Sequence, residues 1–372
     1  MSERLTSSLT QNGKRAVPLS NRNVVINGAM QIAQRGTSTA SIVNTNYYTA
    51  DRWLIALGTL GTWTQSVEAD APTGSGFCNS VKMLCTTADA SPAAGDLNLF
   101  RQSLEGQNVQ QFLKGTASAK PFALSFWVKS NLTGTYIIEL EDAINSRSVS
   151  ASYTISVSAT WEKKTITFPA DTTGAFTNSN TAALNLSFWN GAGSTYTSGT
   201  LQTTWATVTS ANRAVGGVNL AATLNNYWQI TGVQLEVGSV ATPFEFEDYG
   251  VTLAKCQRYY QLAAKCISAS DVVFGVGNYT SATRFDFCCI FSNPMRGTPS
   301  LIATSATNAY YIAGNGNDNV NSWTIYAVPN ANTESTRMTI VNSTEAAGTS
   351  GYAGLVHANG SILAFVAFSS EL

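Results

Sequence analysis

One bulged strand pattern, in residues 227–246, constrains the fold more than any other feature of the chain. Its apolar residues alternate and then change phase after Thr231-Gly232, as their positions show: Trp228, Ile230, Val233, Leu235 and Val237. A side-chain period of two indicates a β-strand, and one extra residue in a bulge exchanges its two faces. Pro243, which cannot donate a ladder hydrogen bond, places the end of this strand at an exit or an edge. The pattern predicts the closing strand of a large β domain.

Shorter alternating segments occur at residues 122–128, 136–140 and 184–188, and turn-forming residues separate them at 131–134, 171–174 and 190–194. Strands of this length and spacing predict an antiparallel β-sandwich, because parallel strands would need helical crossovers between them. A short helix is expected over residues 249–262, followed by more strands. One of these strands places Phe285, Phe287, Cys289 and Phe291 on a single face, and another is expected at residues 323–328. The predicted fold class is therefore all-β, with the sandwich in residues 22–248 and a smaller β domain in residues 249–372.

The two ends of the chain have opposite character. Residues 1–21 are polar and lack a hydrophobic period, so they are either a leader that becomes ordered against a partner or a free terminus. Residues 362–368 are apolar and are expected to form a last strand, held in a sheet or in a subunit interface.

Charge and hydropathy narrow the possible partners. Only 12% of the residues are charged and the net charge is −1, so the chain has no basic field for nucleic acid. No apolar run reaches the roughly 20 residues of a membrane helix, and the N-terminus lacks the layout of a secretory signal. We therefore expect synthesis in a cytoplasm and no insertion into a membrane.

Metal and cofactor chemistry has little support in the sequence. The six cysteines show no C-x-x-C spacing and His357 is the one histidine, which predicts free thiols and no zinc site. No phosphate-binding or dinucleotide-binding loop is present either. The expectation is a protein without cofactor or metal.

Two acidic clusters are candidates for the paired carboxylates that a glycan hydrolase needs. The first comprises Glu139, Glu141 and Asp142, and the second comprises Glu245, Glu247 and Asp248. The first is interpreted as solvated turn charges and the second as a domain junction, because exposed acids are far commoner than catalytic pairs. The chain is therefore predicted not to be an enzyme.

Five sequence blocks resemble a family of tailed-bacteriophage virion proteins. They are Asn27-Gly-Ala-Met-Gln-Ile-Ala-Gln-Arg-Gly-Thr37, Tyr47-Tyr-Thr-Ala-Asp-Arg-Trp53, Tyr227-Trp-Gln-Ile-Thr-Gly-Val-Gln-Leu-Glu236, Cys256-Gln-Arg-Tyr-Tyr260 and Pro294-Met-Arg-Gly-Thr-Pro299. Members are described as tail-fibre, head-fibre or receptor-binding components with a jelly roll like those of carbohydrate-binding modules. The resemblance implies a virion-surface appendage, commonly a homotrimer, that contacts other virion proteins through its leader.

Aromatic side chains are the candidates for contact with a host-surface glycan, because sugars present apolar C–H faces to aromatic rings. Trp127 and Trp189 alternate with core-facing neighbours and are expected to point outward. Trp63, Tyr196 and Trp205 lie in turn-rich segments, where their rings are expected to be accessible. The alternative for each ring is packing under a loop or against another subunit. Three hypotheses result, in order of preference: a glycan-binding virion appendage, a purely structural appendage or capsid decoration protein, and a tailspike-like glycan hydrolase.

Overall fold

Alternating apolar residues build two large antiparallel sheets in the first of two units, residues 1–247 and 248–372. The computed structural model describes residues 10–11, 14–15, 21–306, 309–314, 324–327, 333–341 and 348–372. Near the N-terminus, β1 (Thr10–Gln11) pairs with β2 (Lys14–Arg15). The rest of the predicted leader up to residue 20 lies outside the described residues, so its attachment role stays a prediction.

The first unit is a sandwich of a seven-stranded and a six-stranded sheet. The seven-stranded sheet contains, in spatial order, β14 (Ala206–Thr207), β11 (Arg147–Ile155), β10 (Gly134–Asp142), β13 (Ala182–Ala192), β8 (Leu97–Glu105), β5 (Leu54–Gly58) and β4 (Asn46–Tyr47). The six-stranded sheet contains β12 (Glu162–Phe168), β9 (Phe122–Ser130), β15 (Tyr227–Val237), β7 (Ser80–Thr87), β6 (Thr62–Glu68) and β3 (Ser38–Ile42). The chain crosses repeatedly between the sheets, as a jelly roll requires. The predicted all-β sandwich is confirmed.

Large aromatic side chains fill the space between the two sheets. Trp53 stacks on Phe100 with ring centroids 4.7 Å apart, and Trp228 lies 5.7 Å from Phe188. Each of these side chains is fully buried, and burial of a large apolar side chain contributes about 1.5–3 kcal/mol. The residues that alternate with them along the strands point to the two outer faces of the sandwich.

The phase change in β15 is a β-bulge, as predicted. Thr231 pairs with Trp127 and Gln234 pairs with Ser125, so β15 has one residue more than β9 between these two pairs. Gly232 lies there with φ +62°, and a Cβ atom at this position would lie 2.5 Å from the Phe77 ring. Since β15 lies between β9 and β7, Pro243 marks the exit from a central strand and not an edge.

The second unit begins with helix α2 (Tyr249–Gln257), which ends before the predicted limit because β16 starts at Tyr260. A three-stranded sheet contains β16 (Tyr260–Lys265), β24 (Phe365–Ser369) and β19 (Ser300–Ala303). A six-stranded sheet contains β20 (Tyr310–Gly314), β23 (Ala353–Ala358), β17 (Val272–Ser281), β18 (Arg284–Ile290), β22 (Ser335–Val341) and β21 (Thr324–Ala327). The Phe285 face of β18 is buried, as predicted.

The last strand and the free cysteines are present as predicted, although the strand starts later than expected. The final strand starts at Phe365 and not at residue 362, because Gly360–Ile362 form a 3₁₀ turn, and β24 pairs on both sides with β16 and β19. All six cysteines are free thiols, as expected. Of the strand expected near residues 323–328, Thr324–Ala327 are described. Among the described residues, no helix is long and apolar enough to cross a membrane.

Candidate functional site

Three of the five candidate rings are buried, so their expected accessibility is wrong. Trp63 is fully buried in β6 and its indole Nε1 donates to the Leu60 carbonyl at 2.7 Å. Trp205 is 9% exposed, donates to the Pro169 carbonyl at 2.8 Å and lies 5.7 Å from the Phe122 ring. A turn-rich sequence around each ring did not prevent it from facing the core, because burial depends on what the neighbouring strands place above it.

Trp189 is buried for a different reason. It points to the outer face of the seven-stranded sheet, as predicted, but it is only 3% exposed. Residues 194–217, which we call the covering segment, lie over this face and pack Tyr196, Leu201 and Ala214 near Trp189. Tyr196, 5.4 Å from the Trp189 ring, is half-buried and keeps part of its surface accessible.

Next to Trp189, the outer face of the seven-stranded sheet carries a charged network. Arg213 of the covering segment donates from Nε and Nη2 to the two carboxylate oxygens of Glu139, both at 2.7 Å, and from Nη2 to Glu141 at 3.1 Å. Glu139 has no exposed side-chain surface. Burial raises the pKa of Glu139, although Arg213 opposes the shift. Arg101 lies 3.8 Å from Glu141 and its pKa is lowered by burial.

The acidic clusters differ from their predicted description. Glu139 and Asp142 are buried and paired with Arg213 and Lys114, so the interpretation as solvated turn charges is wrong for these two. In the second cluster, Glu245 accepts from the Asn23 amide at 2.9 Å, and Asp248 caps α2 by accepting from the Gly250 amide at 2.8 Å. Glu245 and Asp248 therefore stabilise the backbone next to them, at Asn23 and at the start of α2.

The outer face of the six-stranded sheet presents accessible aromatic rings. Trp127 points away from Phe126 and Val128, as predicted, and it is half-buried. Trp161, directly before β12, and Tyr227, the first residue of β15, are half-buried as well. Glu162 pairs with Val128, so the next residues along, Trp161 and Lys129, lie opposite each other.

A row of side chains crosses four strands of this sheet in register. Lys129 pairs with Gln229, and Gln229 pairs with Lys82. With Trp161 beyond Lys129, the row spans three strand intervals, or about 14 Å at about 4.8 Å per interval. At one end of the row, Lys129 Nζ lies 5.1 Å from the Trp161 ring centroid, and at the other Lys82 Nζ lies 4.8 Å from the Tyr227 ring centroid.

Asp70 holds the row in place. Its carboxylate accepts from Trp161 Nε1 at 3.1 Å, from Gln229 Nε2 at 3.3 Å and from Lys129 Nζ. Although burial opposes the shift, these hydrogen bonds lower the pKa of Asp70, which is therefore a carboxylate at neutral pH. The Trp161 ring, fixed by a hydrogen bond and a cation, has few orientations left to lose when a ligand binds.

We call this surface the aromatic face and define it by seven residues: Asp70, Lys82, Trp127, Lys129, Trp161, Tyr227 and Gln229. Residues 242–245 limit its extent, because Gln234 and Glu236 further along the sheet hydrogen-bond to this segment and are buried. Of the seven, the sequence identified only Trp127. Alternation along the strands was the available signal for two of the others. Tyr227 alternates with the buried Trp228, and Trp161 alternates with inward-facing residues of β12.

Comparisons with known proteins give a general likeness of fold. No family model and no curated protein matches the chain. Among solved structures, the enzymatically active domain of bacteriophage CBA120 tailspike protein 4 is 16% identical with a TM-score of 0.31, and the match covers 58% of this chain and 21% of that one. TmCBM61 in complex with β-1,4-galactotriose is 10% identical with a TM-score of 0.30, covering 58% and 99%.

A family 11 carbohydrate-binding module from Clostridium thermocellum, in complex with a mixed-linked tetrasaccharide, is 12% identical with a TM-score of 0.27, covering 55% and 98%. This chain thus spans about a fifth of the tailspike chain that it resembles. The strand pairings of the chain itself, and not these likenesses, carry the description of the fold.

Proposed function

We propose that the chain is a non-catalytic phage virion appendage, a fibre or receptor-binding component, whose aromatic face binds a host-surface glycan. The observation that carries the proposal is the set of half-buried rings at Trp127, Trp161 and Tyr227, which lie beside polar groups that hydrogen bonds hold in place. Apolar C–H faces of a sugar fit such rings, while its hydroxyls find an acceptor in Asp70, whose side chain is 47% exposed and is held in place by the buried Gln229. The five sequence blocks support the virion assignment.

Replacing Trp127 and Trp161 together with alanine is expected to weaken glycan binding at least about 30-fold, since central aromatic contacts contribute about 2 kcal/mol or more. The purified full chain would compete with phage for adsorption to host cells, and the double variant would not. Tyr352→Ala, which removes a ring that is 50% exposed in the second unit, is the matched control. Equal competition by the double variant and the control would contradict the proposal.

Two alternative functions, a structural appendage and a hydrolase, predict different experimental results. The burial of Trp63, Trp189 and Trp205 is what a purely structural appendage or capsid decoration protein predicts for aromatic residues. Unaltered adsorption by the Trp127/Trp161 variant would favour that function. Release of reducing ends from host polysaccharide would instead favour a hydrolase.

Homotrimer assembly is part of the proposal and has support in the second unit. Its six-stranded sheet exposes apolar side chains at Val273 (51%), Val276 (66%), Ile290 (79%) and Leu355 (42%). These residues line an open depression of about 440 Å³. An apolar surface of this kind is typical of subunit contacts.

The trimer is expected to give about three times the monomer mass of 39.5 kDa in multi-angle light scattering. Val276→Asp and Ile290→Asp together are expected to shift the mass toward the monomer, because each places an unpaired charge in the contact. Thr280→Asp, on an exposed position of the same unit, is the control. A mass of 39.5 kDa for the unmodified chain would contradict the trimer.

A further inference from the structure

Lys82 differs from the other cation in the cross-strand row. The ammonium of Lys129 is paired with Asp70, whereas Lys82 forms no ion pair with any carboxylate of the described residues. The contact of the Lys82 ammonium is the Tyr227 ring, 4.8 Å from its centroid. A half-buried ammonium held over a ring, without a counter-ion, attracts an anion at short range.

The charge on this part of the sheet is positive although the chain as a whole has a net charge of −1. Lys82 and Lys129 face outward from the row, and Lys163, opposite Trp127, is exposed. The carboxylates are Asp70, which binds Lys129, and Glu68, which accepts from the Ser66 hydroxyl at 2.5 Å. The Ser66 hydroxyl does not neutralise Glu68, so three lysines against two carboxylates leave one net positive charge, and Lys82 is the half-buried lysine there without an ion pair among the described residues.

We infer that the aromatic face recognises an acidic glycan, one whose sugars carry carboxylates. The inference rests on the proposed glycan binding and adds the class of sugar. The sugar rings of the glycan lie against Trp127 and Trp161, and a carboxylate of the same glycan contacts the Lys82 ammonium. Lys82 and Lys129 stand two strand intervals apart, about 10 Å, with Gln229 between them. A linear acidic chain that crosses the strands therefore meets the Trp161 ring first and the Lys82 ammonium last, and it passes over the buried Gln229 between them.

The test measures the affinity of the full-length protein for two acidic probes by calorimetry, an oligogalacturonate and an oligosialate, each beside its carboxyl-reduced neutral form. At low salt, at least one acidic probe is expected to bind about tenfold or more tightly than its neutral form. Raising the ionic strength should narrow the difference, because screening weakens exposed charge contacts.

Variants at Lys82 separate charge from packing. Lys82→Met is expected to remove the preference for the acidic probe over its neutral form. Lys82→Arg keeps a cation over Tyr227 and is expected to keep the preference. Lys120→Met, an exposed lysine outside the face, is the matched control. If Lys82→Met retains the preference, Lys82 only packs on Tyr227 and the inference is wrong.

The outcomes also separate this inference from the proposed function. Equal affinities for the acidic and neutral forms would overturn the acidic specificity while glycan binding stands. No binding of either acidic probe would overturn it too, and the adsorption assay with the Trp127/Trp161 variant would then decide glycan binding by itself.

Discussion

Replacing Lys114 with methionine is expected to lower the free energy of unfolding of the sandwich by about 3–5 kcal/mol. The Lys114 side chain is fully buried, and its ammonium donates to Asp142 Oδ2 at 2.6 Å and to the carbonyls of Thr173 and Gly174 at 2.9 and 2.8 Å. It also lies 3.0 Å from Asp171 Oδ2. Without the Lys114 ammonium, the buried carboxylates of Asp142 and Asp171 repel each other. The carbonyls of Thr173 and Gly174 also lose a hydrogen-bond donor.

The effect is expected to be large because the same carboxylates organise two loops. Asp142 accepts from the amides of Ile144 and Asn145, both at 3.0 Å. Asp171 accepts from Arg147 at 2.8 and 3.0 Å. Although burial opposes the shift, Arg147 and Lys114 lower the pKa of Asp171. The stabilisation from Asp171 is therefore complete above its unfolded pKa of about 4 and is lost as the pH falls through its folded pKa.

Urea unfolding followed by tryptophan fluorescence measures this change, since seven of the eight tryptophans precede residue 248. Lys120→Met, at an exposed position, is the control and is expected to stay within about 0.5 kcal/mol of the unmodified chain. A loss of less than about 1 kcal/mol in Lys114→Met would show that the buried cluster contributes little.

Replacing Arg213 with methionine is expected to cost a similar amount, about 3–5 kcal/mol, because it leaves Glu139 buried and unpaired. Arg213 is one of the covering segment's links to the sheet, through Glu139 and Glu141, and its guanidinium also lies 5.5 Å from the Trp189 ring. Gln202, which donates to the Ser148 carbonyl at 2.7 Å, is another. Loss of Arg213 should expose the covering segment. Faster protease cleavage within residues 194–217 would report that change.

The pH dependence of the Arg213→Met variant has a definite sign. Burial already raises the pKa of Glu139, and the shift grows when the opposing guanidinium is removed. The folded state then binds a proton more tightly than the unfolded state, so the variant should regain stability as the pH falls toward the unfolded pKa of about 4.

A double variant provides the control for Arg213. Adding Glu139→Gln to Arg213→Met removes the unpaired charge and should restore part of the lost stability, with a coupling of about 1–3 kcal/mol. Purely additive effects of the two substitutions would contradict the assignment of Glu139 and Arg213 as a coupled pair.

The local pattern of the chain predicted its strands with their inner faces. Trp228, Ile230, Val233 and Leu235 are buried on both sides of the bulge, and Phe285 and Phe287 are buried in the second unit. These positions follow from a side-chain period of two, which depends on the local backbone alone. The chain divides into two units after Glu247, just before the aspartate that caps α2.

The outer faces could not be predicted in the same way. Trp127 and Trp189 have equivalent phases in their strands, yet Trp127 is half-buried and Trp189 is only 3% exposed. The difference comes from the covering segment, which lies over one sheet, and from the segment at residues 242–245, which leaves the aromatic face open.

By itself, the sequence determined that this protein is built of antiparallel strands, where its bulge lies and that Trp127 and Trp189 turn away from the core. Only the tertiary structure decided which of those rings remain accessible and which charges meet them. Asp70 reaches Lys129, Trp161 and Gln229 across 59 to 159 residues of chain. Contacts over such separations depend on strand order and register, which side-chain periodicity does not encode.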